Sequence, residues 1–82
     1  INVYPNPVVD FVAVQFELKE DQLIKAELYD MAGNKVHVLT QKQAKKGLNE
    51  FSFSAVSLAQ GVYNLVISNE KEIIDNFKIV KQ

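Results

Sequence analysis

The sequence predicts an all-β fold, a small antiparallel β-sandwich of about seven strands. Three observations carry that expectation. Apolar residues recur with period two along most of the chain, as on a strand with one buried face. No stretch of helical length shows apolar residues at i, i+3, i+4 and i+7. The alternating runs are separated by short polar segments, several of them marked by glycine or asparagine.

The clearest strand is Phe11 to Leu18, with Val12, Val14, Phe16 and Leu18 on one face and Ala13, Gln15 and Glu17 on the other. Leu23 to Asp30 repeats the pattern through Ile24, Ala26 and Leu28, leaving Lys25, Glu27 and Tyr29 on the polar side. Met31-Ala32-Gly33-Asn34 breaks it, since Gly and Asn accept the left-handed backbone of a tight turn, and Lys35 to Gln41 is read as the returning strand. That strand carries Val36 and Val38 on one face. A lysine-rich connection with an exposed tip then runs to Gly47. Leu48 to Ala55 sets Phe51, Phe53 and Ala55 against Glu50, Ser52 and Ser54. Val56 to Gly61 is too short for a regular strand and leads to Val62 to Ser68, which carries Tyr63, Leu65 and Ile67. Asn69 to Glu72 is a hairpin loop between two apolar runs. The last strand, Ile73 to Lys81, has apolar residues of both parities, with Phe77 and Ile79 on one face and Ile74 and Val80 on the other. One sheet could not bury all these faces, so two must pack together in an immunoglobulin-like sandwich.

The chain has 82 residues, 48% hydrophobic and 23% charged, which suits one folded domain spanning residues 1–82. Residues 1–8 read as an extended leading segment or linker. The chain starts at Ile1 without an initiator methionine or a signal peptide, as expected of a portion of a longer protein. Its apolar stretches are far shorter than the ~20 residues of a membrane-spanning helix. Nine lysines oppose ten acidic residues and there is no arginine, so the clustered positive charge that a nucleic-acid backbone requires is missing.

Catalytic equipment is equally hard to assemble. There is no cysteine, hence no disulfide, thiolate nucleophile or cysteine-based zinc site, and His37 is the single histidine. By alternation His37 is a surface imidazole. The hydroxyls of Ser52, Ser54, Ser57, Ser68 and Thr40 lie in no glycine-flanked nucleophile elbow. The acidic pairs Glu20-Asp21 and Glu70 with Glu72 fall in solvated loops, where nothing would raise a pKa for acid catalysis. No cofactor or metal is expected, and no enzymatic activity. Of the three tyrosines and five phenylalanines, most fall on inward faces, with Tyr4 and Tyr29 the least clearly placed.

An ordered series of residues goes further than periodicity. Tyr4-Pro5-Asn6-Pro7-Val8 is followed by Asp10, then Leu28-Tyr29-Asp30 with Gly33 and Val36, then Gly47 and Asn49. Leu58, Gly61-Val62-Tyr63 and Lys78-Ile79-Val80-Lys81 complete it. The series resembles the type A C-terminal sorting domain of the type IX, or Por, secretion system over essentially the whole chain. The resemblance implies the C-terminal portion of a larger secreted protein of a Bacteroidota-type Gram-negative cell. A passenger domain on its N-terminal side would cross the inner membrane by a Sec signal. The sorting domain would then direct it from the periplasm through the outer-membrane translocon, with its shuttle proteins, to the cell surface or the medium. A sortase would remove the domain and join the passenger to an anionic lipopolysaccharide, or the passenger would be released.

On this resemblance the sorting residues are Pro5, Asn6, Pro7, Gly61, Tyr63, Lys78, Ile79, Val80, Lys81 and Gln82. Pro5 and Pro7 fix their own φ, and Pro7 disfavours helix at Asn6, which makes Tyr4 to Val8 a stiff extended segment. Gly61 is expected to let the chain turn closely so that Tyr63 enters the core. Asp10 and Asp30 flank turns as acceptors for backbone N–H groups. Lys78 to Gln82 would form a strand at a sheet edge, open to strand addition by a translocon component. The competing reading, from a different class, is an accessory β-sandwich module that binds carbohydrate or a cell surface for a secreted enzyme.

Overall fold

The computed structural model describes residues 1–5, 7 and 10–82. Among these residues there is no helix and there are seven strands: β1 (Asn2–Tyr4), β2 (Phe11–Leu18), β3 (Gln22–Asp30), β4 (Lys35–Ala44), β5 (Gly47–Ser54), β6 (Gly61–Ser68) and β7 (Ile73–Lys81). They form two antiparallel sheets, ordered β1-β2-β5 and β4-β3-β6-β7. The all-β sandwich and the strand number therefore agree with the periodicity.

The core is the sum of the inward faces. Val12, Val14, Phe16 and Leu18 of β2 are buried, and Ile24, Ala26 and Leu28 of β3 are wholly inaccessible or nearly so. Tyr63, Leu65, Ile67 and Ile79 close the layer from β6 and β7. On β5, Phe51 packs edge-on against Phe16 at 6.1 Å and stacks with Phe53 at 6.5 Å. Both rings are only half-buried, because β5 is the rim of the three-stranded sheet.

Four features depart from simple alternation. The leading residues Asn2–Tyr4, too few to show a period, pair with β2 and bury Val3 against the core. Strand β4 continues through Lys42 and Gln43 to Ala44, so only Lys45 and Lys46 remain as the exposed tip. Two register shifts against β3 leave Val36 and Leu39 as extra residues, which removes a consistent apolar face from β4. Val36 and Val38 consequently lie exposed at 37% and 53%. A third shift, between Ile67 and Ser68, makes Ile74 the extra residue of β7 and turns it inward onto the core.

The fourth departure is Glu27, which alternation places on the solvent side and which is 5% exposed. Lys35 Nζ sits 2.7 Å from Glu27 Oε2, and the Tyr29 hydroxyl donates to Oε1 at 3.4 Å. The Lys35 ammonium is the main reason that the Glu27 carboxyl titrates below the usual carboxylate range; Lys25 adds to it and burial opposes it. Lys35 is raised correspondingly, chiefly by its bond to Glu27. The β3–β4 turn is fixed by Asp30, whose Oδ1 accepts the N–H groups of Ala32 and Asn34 at 3.0 and 2.9 Å. Gly33 supplies the φ of +88° that closes the turn.

Leu65→Ala should cost about 2–5 kcal/mol, a large share of the stability of so small a domain, as read by urea denaturation. Leu48→Ala, at a side chain 70% exposed, should stay within about 0.5 kcal/mol. Because the folded-state pKa of Glu27 is depressed, its stabilisation is complete above the ordinary carboxylate value and lost as the pH falls through the lower folded one. Denaturation midpoints from near neutral into the acid range should therefore show a shallower acid decline in Glu27→Gln than in the parent.

Candidate recognition corner

The chain's two end segments meet at one end of the sandwich, and a single residue joins them. Ala55, wholly buried after the last residue of β5, donates its N–H to the carbonyl of Asp10 at 2.6 Å. Asp10 ends the segment that begins at Pro5. On its other side, the Ala55 carbonyl accepts the Lys81 ammonium at 2.9 Å and the Leu58 N–H at 3.1 Å. Asp10, the β5–β6 connection and the end of the last strand are thus tied through the N–H and the carbonyl of one residue.

Around that tie the remaining residues take their places by register. Gly61 lies across from Lys81, Val62 from Val80 and Tyr63 from Ile79. Gly61 has φ +151°, and nothing lies within 4 Å of where a Cβ would stand. The glycine therefore serves the backbone conformation of the turn and not the close approach of a neighbouring group. Tyr63 is buried and donates its hydroxyl to the Ala59 carbonyl at 2.6 Å, pinning the connection between Ala55 and Gly61 over the core. A phenol so placed is apolar filler with one polar tip that finds a partner.

The end of β7 divides into two faces. Ile79 and Lys81 point inward and are buried, whereas Lys78 and Val80 point outward. Lys81 is built into the fold, its stem packed and its ammonium held by a carbonyl, while Lys78 stands exposed. Gln82 is exposed at the end of the strand. Pro5 and Pro7 are exposed at the same corner, and the Tyr4–Pro5 peptide bond is cis. Asn6 lies outside the described residues. Strand β7 forms one edge of the four-stranded sheet. Sequence reasoning missed Ala55, and nothing in an Ala-Val-Ser run marks it: its importance is that of its backbone.

Among the described residues no group of three His, Cys, Asp or Glu side chains could hold a metal ion. Open clefts lie around Gln22, Leu23 and Asn69, at the opposite end of the sandwich. His37 is exposed on β4. Of the aromatic residues, Tyr4 and Phe11 stand exposed on the outer face of β1 and β2, at 45% and 67%. Tyr29 is half-buried over Glu27.

Comparison with known families supplies the deciding observation: the profile of a secretion system C-terminal sorting domain matches residues 2–82. The chain belongs to that family. A search of curated proteins finds no match. The sorting domain of type IX secretion is a transport signal and not an enzyme family, and it implies a passenger on the N-terminal side and export across the outer membrane. The match includes both halves of the corner, from Asn2 through Pro5 and Pro7 to Lys81 and Gln82.

The two terminal lysines of this sorting domain should separate cleanly. Lys81→Met removes a charged donor from Ala55 and should lower stability by about 1–2 kcal/mol in urea titration. Lys78→Met should change it by less than about 0.5 kcal/mol. Equal effects of the two would contradict the inward placement of Lys81.

Proposed function

We propose that this domain carries its passenger through the type IX translocon by presenting the corner at Ala55 as one composite surface. The observation that supports this reading is the shared residue Ala55, whose N–H is held by the Asp10 carbonyl and whose own carbonyl holds Lys81. Recognition would use the outward residues, Pro5, Asn6, Pro7, Lys78, Val80 and Gln82. Gly61, Tyr63, Ile79 and Lys81 would act by holding those residues in place. An outward Lys78 on an edge strand suits pairing in which a translocon component reads side chains of one parity along β7.

After passage, a sortase of the Por system would cleave ahead of the domain and transfer the passenger to anionic lipopolysaccharide, or the passenger would leave the cell. The domain would be in the periplasm only in transit. Such a tail suits a Bacteroidota-type envelope, and residues 1–82 would act as one sorting unit.

The test is a fusion of the 82 residues behind a signal-peptide-bearing neutral reporter. Reporter should reach the surface or medium in cells with the translocon and stay in the periplasm of cells without it. Lys78→Glu, with folding verified by thermal denaturation, should reduce export several-fold. Export independent of the translocon would overturn the sorting role, and unchanged export of folded Lys78→Glu would overturn the assignment of β7.

A further inference from the structure

The two sheets are unequal, and the mismatch falls on one flank. Three strands face four. On the β1/β7 flank the layers close, and Ile1, Ile74 and Phe77 pack against the core. On the opposite flank β4 and β5 are joined by Lys45 and Lys46 alone, and β4 extends beyond its cover. The register pairs His37 with Leu28, Thr40 with Ala26 and Lys42 with Ile24. Directly opposed residues share a face, so these three point to the inner side. Their β3 partners are wholly buried, yet His37 and Lys42 are exposed and Thr40 is half-buried. The inner side of β4 is thus a ledge with no strand beneath it.

The strand beside that open position is the least defended edge of the molecule. Natural edges are protected by shortness, lysines, prolines or bulges. Strand β1 has three residues; β4 has two register shifts with Lys35 and Lys42; β7 has one shift with Lys78 and Lys81. Strand β5 has none of these. It holds an unbroken register with β2 over eight pairs, from Phe11 with Ser54 to Leu18 with Gly47. Its outer edge makes no backbone hydrogen bond over residues 48–54 among the described residues. Phe51 and Phe53 stay half-open beside it.

We propose that β5 accepts one extended peptide segment of another polypeptide, which completes the three-stranded sheet and lies beneath the β4 ledge. A strand adds about 4.8 Å of width, the spacing of neighbours in a sheet. The guest's inward side chains would be apolar beside Phe51 and Phe53. Towards the start of β5 one would be acidic, because Lys42 overhangs that end and makes no ion pair among the described residues. Outward side chains would be small and polar, matching Ser52 and Ser54. A second copy of this domain is a poor occupant, since its own overhanging β4 would meet this one. The site is separate from the β7 edge, so it stands or falls independently of the sorting surface.

The probe is a blocked heptapeptide in which threonines alternate with valine, valine and glutamate, titrated into the 82-residue domain and followed by amide NMR. Shifts and slowed amide exchange should concentrate on β5 and on the facing residues of β4. The same peptide with lysine for glutamate should bind roughly threefold to tenfold more weakly, and Lys42→Glu should reverse that preference. Absence of shifts at millimolar peptide, shifts centred on β1 or β7, or a preference unchanged by Lys42→Glu would each overturn the proposal. So would concentration-dependent changes in β5 without peptide, the signature of self-association.

Discussion

Everything in this domain depends on two apolar sheet faces that have no cover except each other. Residues of one parity on β2, β3 and β6, among them Val12, Val14, Ile24, Leu28, Leu65 and Ile67, are completely buried between the layers. No helix, disulfide or metal reinforces them among the described residues. A domain of this size has little burial to spare, since a chain of about 60–80 residues removes only roughly 60% of its unfolded surface from water. The devices at the ends of the strands are therefore extensions of that core, and their backbone partners are part of its stability.

The corner at Ala55 shows how charged residues near the end of the chain can belong to the fold. A strand used only for recognition would leave its lysines in solvent. Here the last strand is divided by the pleat: Ile79 and Lys81 serve the interior, and Lys78 and Val80 face out. Lys81 places its charge on a carbonyl that also accepts the Leu58 N–H, while the N–H of the same residue holds Asp10. The inward residues of the last strand are consequently part of the fold, and the outward ones are not. A change at Lys81 acts through the position of its neighbours, and a change at Lys78 acts on the surface alone.

Irregularity is concentrated at the rims of the four-stranded sheet. The extra residues Val36 and Leu39 disrupt β4, and Ile74 disrupts β7. Bulges protect an edge from unwanted pairing and re-aim side chains. At β7 the bulge turns Ile74 into the core; at β4 the pair of bulges exposes Val36 and Val38 and brings Lys35 over Glu27. The straight, lysine-free β5 contrasts with both.

Most strands, their inward faces and the turns were legible in the residue pattern, because burial on a pleated sheet imposes a period of two that an unbroken eight-residue run displays. Phe11 to Leu18, Ile24 to Leu28 and Tyr63 to Ile67 are legible for that reason, and so is the turn at Asp30 and Gly33. The ordered series from Tyr4 to Lys81 pointed to the family that the match over residues 2–82 establishes. Only the tertiary structure decided what a one-residue slip or a distant partner controls. Bulges cancel periodicity where they occur, so the exposure of Val36 and Val38 and the burial of Ile74 were hidden. Three residues are too few to show alternation, which concealed β1. Glu27 reads as a solvent charge until the β3–β4 turn brings Lys35 to it, and the sequence gives no sign that Lys81 ends on the Ala55 carbonyl. The partners of a backbone carbonyl leave no trace in residue type, and this is why the residue that joins the two ends of the domain is an alanine that no pattern singles out.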